Sequence, residues 1–465
     1  MTFIVTTDYE IDNIAAPNLP LAPQQWDPRF QDQYSNVLRL YFNRLDAFIA
    51  KLMATSTPVP ISGQVSLPST YLDAFGRQRV SNPLTLFDSS HRYADNNLWV
   101  NSITGTAAAT FNANEGLVDL TVGSASGDQI IRETIKVFSY QPGKSLLVMT
   151  TFVMGTAKAN LRQRAGYFGA ANGVYFEREG SINYMVERSS VTGSVVNTRV
   201  AQADWNQDKL DGTGPSGLTL DSSKAQILYV DIEWLGLGTV RTGFVINGAF
   251  VPVHNFNHAN LINTTYITTA SLPMRCEMTN VAATTGASTF KQVCSTVISE
   301  GGYELRGIQS TAGTAVTSPT TLTTAGTFYP VVSIRLKSTR LDAIAILSAV
   351  SILGLTNNAN YKWELVASGT TTGGTWVSAG TNSSIEYNIT GTSFSSTGGT
   401  ILATGFFQGS NQGSSTVDIT KASLFSTQLE RNSFTATAYE VTLACASSGN
   451  GDQVLGSVDW EEISR

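Results

Sequence analysis

Val240-Arg241-Thr242-Gly243-Phe244-Val245-Ile246, then Asn247-Gly248, then Ala249-Phe250-Val251-Pro252-Val253 reads as two strands joined by a two-residue turn. A type I′ hairpin turn needs positive φ at both central positions, and Asn-Gly supplies that at least cost. Pro252 has no N–H to give to a ladder, so its strand is expected at a sheet edge. The same period of two recurs on both sides of the hairpin. Before it lie Ser145 to Val153, Gly173 to Phe176, Ile182 to Val186 and Ala225 to Trp234. After it lie Val331 to Leu336, Tyr361 to Ala367, Ile385 to Ile389, Ile401 to Phe407 and Tyr439 to Ala446. Gly, Ser, Thr and Asn turns separate these runs, the pattern of antiparallel sheets packed face to face.

Composition agrees. Of 465 residues only 14% are charged, while Ser and Thr make up about a fifth and Gly numbers 40. Long helices need Glu, Lys, Arg and Ala; this mixture favours short strands and tight turns. The 44 aromatic residues (7 Trp, 16 Tyr, 21 Phe) are enough to anchor a core, which excludes wholesale disorder. The net charge of -6, without any run of five basic residues, gives no footprint for nucleic acid. Cys276, Cys294 and Cys445 are far apart and odd in number, so they read as free thiols rather than as a disulfide framework or zinc cluster.

Met1 to Pro20 lacks the basic start and apolar run of a signal peptide, so synthesis in a cytoplasm is expected. The most apolar stretch, Leu341 to Leu355, is too short to span a bilayer and carries Asp342, so no membrane insertion is expected. After a Pro-containing arm, Asp27 suits an N-cap and Pro28 the first helical position. Tyr34, Leu38, Tyr41, Leu45, Phe48 and Leu52 follow at spacings of four and three, a heptad stripe that predicts one amphipathic helix from Pro28 to about Met53. Prolines at 58 and 60 stop it. Because the arm and a Pro-rich spacer isolate this helix, its stripe is expected to oligomerise or to anchor the chain.

The expected organisation has four parts. Residues 1–70 form the arm and helix, 71–305 one β-sandwich, 306–330 a Ser/Thr/Gly-rich linker and 331–465 a second β-sandwich. The fold class is mainly β, with two antiparallel sandwiches of jelly-roll or concanavalin-like type.

Few residues suggest chemistry. In Tyr229-Val230-Asp231-Ile232-Glu233-Trp234 the two carboxylates share a strand face, the raw material of a glycosidase. The stretch resembles the Glu-x-Asp-x-Glu strand of a family of retaining β-glucanases, but Tyr229 stands where that family has its nucleophile. A solvated strand face is therefore expected. His254 and His258 are about 13 Å apart if the chain stays extended, too far for one metal ion. With His91 they complete the histidines, so polar or hydrogen-bonded roles are expected. Asp208 to Gly217 is a turn-rich loop whose two aspartates match no EF-hand spacing. No GxSxG, GxxxxGKS or HExxH occurs. No catalytic residue, metal site or cofactor is assigned, and the chain is expected not to be an enzyme.

Several segments resemble structural proteins of tailed bacteriophages. They are Asp73-Ala74-Phe75-Gly76-Arg77-Gln78-Arg79-Val80-Ser81-Asn82-Pro83, Tyr140-Gln141-Pro142-Gly143-Lys144-Ser145, Asp211-Gly212-Thr213-Gly214-Pro215-Ser216-Gly217, Phe256-Asn257-His258-Ala259-Asn260 and Cys294-Ser295-Thr296-Val297-Ile298-Ser299-Glu300-Gly301-Gly302. The resemblance covers Leu72 to Gly302 best. It implies a virion component of fibre, spike or decoration type, made in the host cytoplasm, and carries no residue-level sites. The expected partners are copies of itself, most simply a homotrimer, and other virion proteins. The alternative is a receptor-binding adhesin whose sandwich recognises host surface glycan, with Trp363 and Trp376 as candidate sugar-stacking residues.

Overall fold

The computed structural model describes residues 27–55, 82–301, 307–409 and 427–464. The chain divides into two units, Met1–Val80 and Ser81–Arg465. The first holds the helix Pro28–Thr55. Asp27 caps it: its Oδ1 accepts the Arg29 N–H at 2.9 Å and its carbonyl accepts that of Phe30 at 3.1 Å. The arm and the spacer after the helix lie outside the described residues.

The second unit is mainly β, as the period-two pattern predicts. Its N-terminal part packs two antiparallel sheets. One sheet runs Ala249–Phe256, Val240–Ile246, Gln226–Ile232, Ser145–Val153, Ser288–Glu300, Leu117–Val122 and Ala108–Asn112, with Pro83–Ser90 also on Ser288–Glu300. The other runs Val196–Ala201, Ile182–Ser189, Gly173–Glu179, Leu161–Phe168, Met274–Asn280, Gln129–Thr134 and Trp99–Thr104. Phe152, Phe176, Phe244 and Phe290 are fully buried between the sheets, with Phe152 stacked on Phe290 at 5.5 Å. The hairpin is as read: φ is 52° at Asn247 and 77° at Gly248, and the Pro252 strand is an edge.

A second core lies between a four-stranded and a seven-stranded sheet built from residues 308–464. The apolar Leu341 to Leu355 stretch supplies its strand Ile344–Gly354, and Trp460, Tyr361 and Leu443 fill the interior. The segment 306–330, expected to be a linker, instead contributes strands Ile308–Gly313 and Thr320–Leu322, both paired with Asp452–Ser464. Its Thr and Ile residues suit strands, and the long final strand offers a partner that local composition does not reveal. Among the described residues no helix is long and apolar enough to cross a membrane.

Candidate functional site

The densest constellation of polar side chains lies on the seven-stranded sheet of the first sandwich, on the face turned away from the Phe152 core. Alternation places Arg164 and Phe168, Tyr175 and Glu177, Tyr184 and Arg188, Arg275 and Glu277, Glu133 and Arg199 on that face. Arg164 donates to Glu177 at 2.6 Å and to Glu277 at 2.9 Å. Arg275 bridges Glu277 at 3.0 Å and Glu133 at 3.2 Å. Arg199 reaches Glu179 at 2.8 Å and also pairs with Glu177. Four guanidinium groups thus face four carboxylates, with Arg188 donating to Tyr175 and Asn197 instead. The rings of Phe168 and Tyr175 lie 4.2 Å apart among these arginines. Gly166 makes room for them, since a Cβ there would lie 2.6 Å from the Tyr175 Cα, and its φ is +157°.

Two carboxyls sharing Arg275 are pushed in opposite directions. Burial works against ionisation of Glu277, but Arg164, Arg275 and Arg188 outweigh it and hold the group below the usual carboxylate range. Burial raises Glu133, against the pull of Arg275. Such a split is the raw material of acid–base chemistry. Both side chains are buried, however, and each is clamped by arginine, so the arrangement as described is a rigid, charge-balanced sheet face.

The second polar assembly joins the sandwiches. Residues 427–438 leave the second sandwich and zip onto Thr134 to Ser139 of the first. The Ser433 N–H donates to Ile135 O at 3.0 Å and its hydroxyl to Thr134 O at 2.6 Å. Gln428 reaches Ser139 at 2.5 Å, and Lys136 pairs with Glu430 at 2.7 Å. Arg431 donates to Asp342 at 2.9 Å and to Ser271 O at 3.4 Å. Beside Arg431 opens a cleft of about 620 Å³.

The residues singled out in the sequence fare differently. On the helix, Tyr34, Leu38, Tyr41 and Leu45 are half-buried and Phe42 is 54% exposed; the side chains of Phe48 and Leu52 lie outside the described residues. Asp231 and Tyr229 do share an outward face. Asp231 pairs with Arg241 at 2.7 Å, and burial pushes its carboxyl up. Glu233 sits exposed just past the strand end. His254 and His258 are buried rather than surface groups and have separate partners. The His254 Nδ1 accepts the Asn206 N–H at 3.3 Å, whereas His258 lies between Gly238 O at 2.6 Å and Glu187 at 2.8 Å, stacked on Tyr266. His91 is buried against Trp99. Asp208 accepts the N–H groups of Leu210 and Ser216, and Asp211 the N–H and the hydroxyl of Thr213, so both carboxylates organise their own loop. Among the described residues no group of three or more His, Cys, Asp or Glu is placed to hold a metal ion.

The tryptophan reading needs correction. Trp363 is 3% exposed, buried in the second core, so no sugar can stack on it. Strand alternation put it inward, which its polar neighbours Lys362 and Glu364 disguise. Trp376 is half-buried, and the Arg335 guanidinium caps it at 3.9 Å. Sequence reading missed both the charged face and the junction. Their residues come from five strands or more, and only the outward Arg/Glu alternation of Arg162-Gln163-Arg164 and Glu177-Arg178-Glu179 hints at the former.

No protein-family model and no curated protein sequence matches the chain. Solved structures do. A Bacillus licheniformis β-glucanase is 11% identical, covering 49% of this chain and 100% of its own, with a TM-score of 0.31. A carbohydrate esterase from the Shiga toxin-encoding bacteriophage phi24B is 13% identical over 48% of this chain and 100% of its own, with a TM-score of 0.29. The CBM2 module of the evolved Dit of Lactobacillus casei BL23 phage J-1 is 6% identical over 49% and 100%, with a TM-score of 0.31. The likeness is one of fold, jelly-roll and concanavalin-like, and phage-derived proteins are among the neighbours. Others of the same order are a glucuronan lyase and further glucanases. The expectation that the chain is not an enzyme is corrected to this extent: most of these neighbours are named as enzymes acting on carbohydrate, so it does not stand. That expectation rested on Tyr229 at the place of one acid, on the absence of GxSxG, GxxxxGKS and HExxH, and on the resemblance to phage structural proteins; groups that meet only in the fold are invisible to all three.

Proposed function

We propose that the chain is a component of a tailed-phage particle that self-associates through its N-terminal helix, as a homotrimer, and carries its β-sandwiches as the exposed part of an appendage. The observation that supports this most is the helix. It belongs to a unit separate from the sandwiches, and among its described residues none is buried although Tyr34, Leu38, Tyr41 and Leu45 form one stripe. Burying such side chains is worth about 1.5–3 kcal/mol each, a gain that packing against other copies would supply. Tyrosines are bulky for a two-stranded seam, which favours three strands. Other virion proteins would hold the arm.

The test is Leu38→Asp with Leu45→Asp. Sedimentation is expected to show monomers with intact sandwiches, and particles are expected to lack the protein. A double variant that keeps the oligomer and joins the particle refutes the reading. A second reading, recognition of host surface glycan, draws its support from the polar cleft beside Arg431.

A further inference from the structure

We propose that the cleft beside Arg431 in the second sandwich is a binding site for a carboxylate-bearing saccharide, with Arg340 and Arg431 receiving the carboxylate and Ser338, Thr339 and Asp342 receiving sugar hydroxyls. This deepens the glycan reading and rests on it. The cleft's volume of about 620 Å³ fits one or two sugar rings. It lies between the 338–343 loop of the second sandwich and Arg431 and Ala436 of the turn that clasps the first. Neither loop is loose. The Arg340 N–H held by Asn382 O at 2.6 Å and the Arg431 N–H held by Asp342 at 2.9 Å fix each guanidinium from one side. Each guanidinium has five N–H donors, and the bonds made among the described residues use one on Arg340 and two on Arg431.

The charge at the cleft, two arginines against one aspartate, favours an anion. The planar fork of arginine suits a carboxylate in particular. The remaining polar groups are the hydroxyls of Ser338 and Thr339 and the carboxylate of Asp342, which match sugar hydroxyls as partners, while Leu341, Ala343 and Ala436 supply apolar surface for a sugar ring's C–H face.

The experiment titrates the full-length protein with glucuronate, glucose and acetate by calorimetry or by NMR line shifts, in wild type, Arg340→Ala and Thr339→Trp. Arg340→Ala removes the charge, and Thr339→Trp fills the cleft from an exposed position with both arginines kept. Thermal unfolding of each variant checks folding. Glucuronate is expected to bind wild type at least about tenfold more tightly than glucose or acetate, and both variants are expected to lose about tenfold or more. Equal binding of glucuronate and acetate overturns the site as a sugar site, as does undiminished binding in both folded variants. If wild type binds glucose as well as glucuronate and both variants keep that binding, this site fails while the glycan reading survives. If none of the saccharides binds, both fail.

Discussion

Lys136 and Glu430, 294 residues apart in sequence, close an ion pair of 2.7 Å between the two sandwiches. The pair is about one-third exposed at each end, so its own contribution is small, about 0–1 kcal/mol. What it marks is a seam in which Ser433 and Gln428 also take part. That seam makes the two cores neighbours in one unit, although a Ser/Thr-rich stretch separates them in sequence.

The first prediction concerns that seam. Ser433→Ala with Gln428→Ala removes two side-chain bonds to the first sandwich, worth about 1 kcal/mol each. Calorimetry of wild type is expected to show one cooperative transition, and the double variant two. A single transition in the variant would mean that the seam does not couple the cores.

The second prediction is a pH dependence. Burial works against a charge on His258, but the hydrogen bond to Glu187 and the Gly238 carbonyl outweigh it, and the folded pKa is raised above 6.5. A raised folded pKa gives stabilisation that is complete below the unfolded value and lost as pH climbs through the folded one. His91 works the other way. Burial, aided by Arg132 and opposed by Asp95, lowers it to about 4, so stability falls as pH drops from 6.5 towards 4. Stability against pH is expected to slope down on both sides of about 6.5 from these two groups. His258→Gln should flatten the alkaline slope alone, as urea unfolding at a series of pH values can show. An unchanged alkaline slope would rule out the pair as its source.

Thiol reactivity supplies a third. Burial pushes Cys276 and Cys445 each up to about 12, so almost no thiolate is present at neutral pH. Cys294 is half-buried on an outward sheet face. Against a chromogenic disulfide the native protein is expected to release one equivalent quickly, and three in denaturant. Two or more fast thiols in the native state contradict this packing.

Much of this architecture was legible from local chemistry. Asn247-Gly248 announced its turn because only two positive φ values close such a hairpin, and Pro252 announced an edge because it lacks a donor. Asp27 and Pro28 announced the helix start for equally local reasons. What escaped was non-local. Thr320–Leu322 is a strand only because Asp452–Ser464 lies beside it. Glu133 and Glu277, 144 residues apart, become one site only when their strands pair and Arg275 stands between them. Trp363 looked available to sugar because a lone tryptophan between charged residues does not say which side of its strand faces inward.

The last prediction weighs the charged face against a pair with one exposed partner. Arg164 is buried and holds two carboxylates, Glu177 and Glu277, that are themselves buried. Removing one partner of a buried pair leaves charge without compensation and costs about 3–5 kcal/mol, whereas replacing a whole buried network with apolar groups can be neutral. Arg199 and Arg275 still reach these carboxylates, so Arg164→Met is expected to cost about 3 kcal/mol, the lower end of that range. Arg241 is 57% exposed while its partner Asp231 is 15% exposed, so Arg241→Met breaks a single, half-solvated pair and is expected to cost about 1 kcal/mol, the top of the range for exposed pairs. Urea unfolding of the two variants side by side tests the difference. Adding Glu277→Gln to Arg164→Met should recover part of the loss, because the orphaned charge goes with it. Equal costs for the two single variants, or no recovery in the double, would mean that the face is wetter than its geometry implies and that its arginines act as ordinary surface charges.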